Sequence, residues 1–202
     1  MKLPILQYGD PMLRAKGKRI DQIDDRIRAL AANMLETMEA ANGVGLAGQQ
    51  VGEALQLTVL DISRVEDRLS TMKLNGQDVD PQTAMPLLLI NPEIESGDET
   101  EMGTEGCLSF PEITGEIERA KAVLARAQTL EGDKIEIEAT GLLARVLQHE
   151  ADHLNGILFI DRMSSAAKAS LSSRLKRLRK ETQRGQRRRA QDRELPFGEN
   201  AL

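Results

Sequence analysis

Both histidines of this 202-residue chain fall within five positions, as His149 and His153 in the run QHEADH. Positions i and i+4 of a helix lie one turn apart on one face, so the two imidazoles can converge on a single point. Two neutral imidazoles make half of a tetrahedral metal site. Glu150 projects near the same face and is free to act as a base rather than a ligand, the division of labour of an HExxH motif. A chance HExxH on a solvated helix and a packed pair of core histidines are the plain alternatives. Apolar residues flank the run on both sides, no other histidine exists, and the single cysteine, Cys107, is the other good soft ligand.

Cys107 stands in EGCLS, with Gly103 and Gly106 before it and Pro111 after it. A free cysteine is most often a small buried hydrophobe. Here the helix needs a third donor, and a thiolate with two imidazoles leaves one tetrahedral position open, as a catalytic site requires. A divalent ion in such a site brings the pKa of water to about 7, within reach of Glu150 as base, and the chemistry is hydrolysis of a carbonyl compound. A second stretch, GVGLAGQQ at 43–50, spaces Gly43, Gly45 and Gly48 like a dinucleotide fingerprint. Its context is wrong, because a helix precedes it and a strand follows. It reads better as a close-approach loop holding Gln50, whose amide can donate to a developing oxyanion. In a loop standing alone, Gln50 would equally well be an ordinary surface residue. Leu142, Arg145 and Val146 precede His149 by seven, four and three positions, on the metal-facing side of the helix. With the stem of Arg145 they would wall an apolar substrate pocket, core packing being the alternative.

Elements must hold these groups. Ile23, Ile27, Leu30, Met34 and Met38 recur at helical spacing over Asp21–Asn42, with Gly43 at the stop. Strand-like runs follow: LTVLDI at 57–62, PLLLINPEI at 86–94, AVLARAQ at 122–128 and KIEIEA at 134–139. The polar segment Ser63–Pro86, with Asn75-Gly76, reads as an insertion or long loop with room for a hairpin and no evident chemistry. LLARVLQHEADHLNG is helical from Gly141 to Asn155-Gly156, and ILFIDRM follows as a buried strand or core segment. Helices set apart from a block of short strands predict an α+β fold.

GVGLAGQQ, EGCLS and HEADH, in this order and at these separations, resemble the three signature motifs of peptide deformylases. The resemblance runs from ILQYGDPMLR at 5–14 through LNGILFIDRM at 154–163. It implies mixed and antiparallel sheets packed around a central HExxH helix, and hydrolysis of the N-formyl group from the initiator methionine of nascent polypeptides, releasing formate. It implies Cys107, His149 and His153 as metal ligands, Glu150 as general acid and base, and Gln50 with the Leu108 backbone N–H as the pair holding the formyl oxygen. It implies a substrate hydrogen bond at the Gly45 backbone, and one divalent ion per chain, Fe(II) in the cell. Cys plus two His suits Zn(II) equally, and Ni(II) is a further expected occupant of preparations. The family usually has Ala at Gly48 and often Pro at Gln49, departures expected to loosen the loop beside Gln50 without removing a chemical group.

Composition frames the rest. With no Trp, one Tyr and three Phe, an aliphatic core is required, and the net charge of −5 argues against bulk nucleic-acid binding. A single cysteine excludes an internal disulfide and fits a reducing compartment. No long apolar run or signal-like N-terminus is present, so a soluble cytoplasmic monomer with no membrane contact is expected. The catalytic domain is expected over 1–163. From 164 to 202 the chain turns basic, with Leu171, Leu175 and Leu178 on one stripe and Arg and Lys dominating from Arg174 to Arg193. This part is read as a helix running into a disordered tail, either a solvated face or a contact for ribosomal RNA phosphates, as the resemblance implies. A zinc peptidase with HExxH usually draws a third ligand from downstream, where this chain has no further histidine. A plain RNA-binding protein would explain only the arm.

Overall fold

The computed structural model describes residues 1–194. Helix α1 (Asp25–Ala40) is followed by β1 (Gly45–Ala47), a 3-10 turn at Gly48–Val51, and β2 (Leu57–Leu60). Strands β3 (Met72–Leu74), β4 (Gln77–Val79), β5 (Leu87–Ser96), β6 (Thr100–Gly106), β7 (Thr114–Ala120), β8 (Ala122–Gln128) and β9 (Lys134–Thr140) come next. The described residues end in four helices: α2 (Gly141–Leu154), α3 (Phe159–Arg162), α4 (Ser165–Ser170) and α5 (Ser172–Glu194). The sheet order is β1-β2-β5-β8-β9-β3-β4, with β6-β7 as a separate two-stranded sheet. All pairs between these strands are antiparallel, and the parallel component is an isolated bridge, Lys18 to Leu55. The fold is α+β.

Helix α2 is buried almost all round, as expected of a helix enclosed by protein. Leu142, Leu143, Val146 and Leu147 pack into one cluster with Leu60, Leu89, Val123 and Ile137 of the sheet. Helix α1 buries Ile27, Ala31, Met34 and Met38 against Leu46, Val59 and Ile90. It starts at Asp25 rather than Asp21 because the Asp24 carboxylate accepts from the Ile27 N–H, 2.9 Å, and caps it there. Its stop is Asn42, at φ 54°, one residue before the expected glycine.

The segment Ser63–Pro86 is more tightly built in than its polarity suggested. Asn75 and Gly76 both have positive φ and turn the β3-β4 hairpin, and β3 pairs with β9. Thr140, the residue before α2, makes no side-chain cap. Ser70 supplies one instead: its Oγ accepts from the Leu143 N–H at 3.0 Å. Thr71 Oγ1 lies 2.6 Å from Thr140 Oγ1, and the Leu69 carbonyl packs directly over Gly141. The segment 157–163 is a core segment but not a strand, for it forms the short helix α3 with Phe159 and Ile160 buried.

The basic C-terminal segment docks. Leu175 is buried, and Leu171 and Leu178 pack beside it on the cluster of Leu13, Phe110, Ile117 and Phe159. Arg174 donates to the Glu112 carbonyl, and Gln186 Nε2 donates to Asp10 at 2.6 Å. The expected disordered tail, as far as it concerns 195–202, lies outside the described residues. Among the described residues, no helix is long and apolar enough to cross a membrane.

Candidate metal centre and active site

Two elements deliver the cluster. Helix α2 carries His149 and His153 on one face, their ring centroids 5.0 Å apart. Cys107 opens the link between β6 and β7, a turn closed by the Phe110 N–H donating to the Cys107 carbonyl at 2.8 Å. The possible ligand atoms of Cys107, His149 and His153 all lie within 4.8 Å of one another, and Cys107 Sγ is 3.2 Å from His153 Nε2. His149 Nδ1 is 2.9 Å from Glu105 Oε2, which assigns the proton to that nitrogen and leaves Nε2 as the ligand atom.

Glu150 is 3 % exposed, and its Oε2 has no hydrogen-bond partner. Its Oε1 presses on Gly45, where any Cβ would come within 2.2 Å. Only glycine permits that approach, so the motif glycine is there to let a carboxylate in. Burial pushes the Glu150 carboxyl up to about 7, partly opposed by His149, which suits a proton carrier at neutral pH. Burial alone would depress both histidines. At His149 the hydrogen bonds it donates to Cys107 and Glu105 overcome it, favouring positive charge. At His153 burial and the neighbouring His149 together hold the imidazole neutral. One thiol and two imidazoles as donors, with His153 held neutral and its Nε2 turned to the thiol, fit a borderline-soft divalent cation.

The glycine loop places Gln50 beside the thiol. Its Oε1 accepts from the Ala47 N–H at 2.9 Å, while Nε2 donates to Ser109 Oγ at 3.2 Å and lies 3.5 Å from Cys107 Sγ. The N-terminal segment ties the two loops together, with Leu6 N–H on the Gln50 carbonyl and Tyr8 N–H on the Ser109 carbonyl. The expected loosening at Gly48 and Gln49 is not found. A Cβ at Gly48 would sit 2.6 Å from the Glu53 carbonyl, so the loop is tight because the residue is glycine. Gln49 is fully buried and its Nε2 donates to the carbonyls of Ala15 and Leu154, at 3.3 and 3.2 Å. The Leu154 carbonyl also accepts from Gly17 N–H and Gln56 Nε2.

A cavity of about 480 Å³ opens onto the cluster. Gly45, Gln50, Leu108, Leu142 and Val146 line it, as does Arg145. Arg145 does more than lend an apolar stem. Its Nη1 binds Glu105 at 3.0 Å and the Ile117 carbonyl at 2.9 Å, and Nη2 binds the Glu101 carbonyl at 3.1 Å. It belongs to a buried ionic network: Arg119 holds Glu105 through two bonds of 2.8 and 2.9 Å and Asp152 at 2.5 Å, and Arg162 closes on Asp152. Glu105 and Asp152 lie inside EGCLS and HEADH, but their charges read as solvent-facing in the sequence, which holds no sign of their buried partners. Arg119 carried no signal.

A profile described as polypeptide deformylase matches residues 2–169. The chain belongs to the peptide deformylase family. It is 44 % identical over 184 residues to the peptide deformylase of Opitutus terrae, covering 90 % of this chain and 95 % of that one. A plant peptide deformylase crystal structure superimposes with a TM-score of 0.78 at 36 % identity, covering 91 % and 92 % of the two chains. The Thermotoga maritima peptide deformylase gives a TM-score of 0.69 at 41 % identity, over 81 % and 99 %. The enzyme is accordingly a metal-dependent hydrolase that removes the formyl group from the N-terminal methionine of nascent peptides.

Proposed function

We propose that Cys107, His149 and His153 hold the ion, that Glu150 carries the proton, and that Gln50 and the Leu108 N–H receive the formyl oxygen. One observation carries this reading: a thiol and two imidazoles converge on one another at the edge of the cavity, beside a buried carboxylate oxygen that has no partner. When bound, the ion supplies Lewis acidity toward water and the formyl carbonyl. Glu150 takes a proton from the attacking water and returns it to the methionine nitrogen as the C–N bond breaks, so formate and a free amine leave. Gln50 Nε2 is held in place before the reaction and donates to the oxygen as it becomes negative. The Gly45 backbone hydrogen-bonds the peptide, and Leu142 and Val146 line the space for the methionine side chain, closed off behind by Arg145.

The ion is proposed to be Fe(II) in the cell, with Zn(II) and Ni(II) accepted by the same donors. Formate release from formyl-Met-Ala-Ser, with metal content measured on protein purified without oxygen, tests the assignment. Glu150→Gln is expected to lower turnover about a hundredfold or more with the metal retained. Cys107→Ser is expected to lose metal first and activity as a result. Metal loss in the former, or full function in the latter, overturns the roles.

We read the enzyme as a monomer working in the cytoplasm, where its substrates arise. Residues 1–163 are read as the catalytic domain and 164–202 as its basic appendage. Arg177, Lys180, Arg184 and Arg187 are exposed at helical spacing on α5, opposite the docked Leu171, Leu175 and Leu178. We read this stripe as a contact for ribosomal RNA phosphates. Reversing Arg177, Lys180 and Arg184 to Glu should abolish a salt-sensitive cosedimentation with ribosomes. Equal, salt-insensitive binding by both proteins would leave the stripe merely solvated.

A further inference from the structure

A nascent peptide is far longer than the cavity, so whatever follows its formyl-methionine must leave through the mouth. The exposed charged side chains lining the cavity are Arg68 and Glu112. Arg145 and Glu105 also line it, but they are buried and neutralise one another. Among the described residues, Arg68 forms no ion pair or side-chain hydrogen bond, although Glu66 and Asp67 precede it in the chain and neither lines the cavity. Glu112 lies apart from Arg68, beyond Cys107 in the β6-β7 link, where Arg174 donates to its backbone carbonyl.

Arg68 is also well placed. Residues 69–71 are fastened to the start of α2 through the Ser70 cap, the Thr71–Thr140 hydroxyl pair and the Leu69 carbonyl over Gly141. That anchor fixes the backbone beside Arg68 at the Leu142 end of the cavity. Leu142 is seven residues before His149, about 10 Å along the helix, and an extended peptide covers that distance in about three residues. We propose that Arg68 makes this enzyme favour formyl peptides carrying an acidic side chain within the first few residues after methionine. This rests on the proposed reading that the formyl group sits at Cys107, His149 and His153.

The test uses formyl-Met-Xaa-Ala-amide and formyl-Met-Ala-Xaa-amide peptides, with Xaa as Glu, Gln or Lys and the C-terminus blocked so that no terminal carboxylate competes. For the wild type, kcat/KM is expected to fall from Glu through Gln to Lys in at least one series. The overall span is about two- to fivefold, the worth of one exposed ion pair, carried by KM rather than kcat and shrinking at high salt. Arg68→Gln should flatten the ranking and Arg68→Glu should reverse it. Reading the ratio between peptides cancels any general loss of activity. A flat ranking in the wild type, or an unchanged ranking in Arg68→Glu, overturns the proposal. Loss of hydrolysis of the neutral Gln peptides on changing Cys107→Ser reports on the metal-site reading instead, so the two fail independently.

Discussion

The two ends of α2 are held by different physics. At its C-terminal half, His149 and Asp152 are set in a buried ionic network, in which Arg119 binds both Glu105 and Asp152 and Glu105 orients His149. At its N-terminal end the fastening is neutral, made of the Ser70 hydroxyl, the Thr71–Thr140 pair and the Leu69 backbone. The charged end is stiff but unforgiving, because removing one partner strands another charge away from water. At the neutral end, loss of one partner strands no charge.

The largest break should therefore come from Arg119→Ala. With Glu105 and Asp152 left without their common partner, stability should fall by about 3 to 5 kcal/mol, read as a lower denaturation midpoint, and metal retention should fall with it. Next comes acid. The Arg119 and His149 bonds outweigh burial and hold Glu105 well below the ordinary carboxylate range. Its contribution is complete above an unfolded pKa of about 4.3 and fades as pH falls further, because the unfolded chain there binds the proton the folded chain refuses. Thermal denaturation in chelator at falling pH should show the wild type losing stability more steeply than Glu105→Gln; parallel curves would deny Glu105 that role. The smallest effect belongs to Ser70→Ala, about 0.5 to 2 kcal/mol for a lost cap, with metal content unchanged. Metal loss in that variant would erase the distinction between the two ends.

What could be read in advance divides along similar lines. Residues 141–155 were legible because helical period and ligand spacing coincide there, and β9 because apolar and charged residues alternate. The strands TEMGTEG and TGEIERA were not, since β6 and β7 bury few side chains and two of the buried ones, Glu105 and Arg119, are charged. Charge in a sequence reads as solvent exposure, and only the fold shows a partner 14 residues away. The capping role of Ser70 was hidden for a related reason: the hydroxyl acts on a helix 73 residues downstream. Gly48 and Gln49 misled because their freedom was judged without the neighbours that remove it.

The Leu154 carbonyl, last in α2, accepts from Gly17 N–H at 2.8 Å and from the amides of Gln49 and Gln56, each at 3.2 Å. Helix ends usually leave such carbonyls to water. Here one oxygen joins the N-terminal segment, the glycine loop and the approach to β2 at the foot of the helix that carries His153. These pieces should open together or not at all, as one cooperative unit in native-state hydrogen exchange. The Gly17 amide should then exchange as slowly as those of the helix it caps, although it lies in a stretch without regular secondary structure.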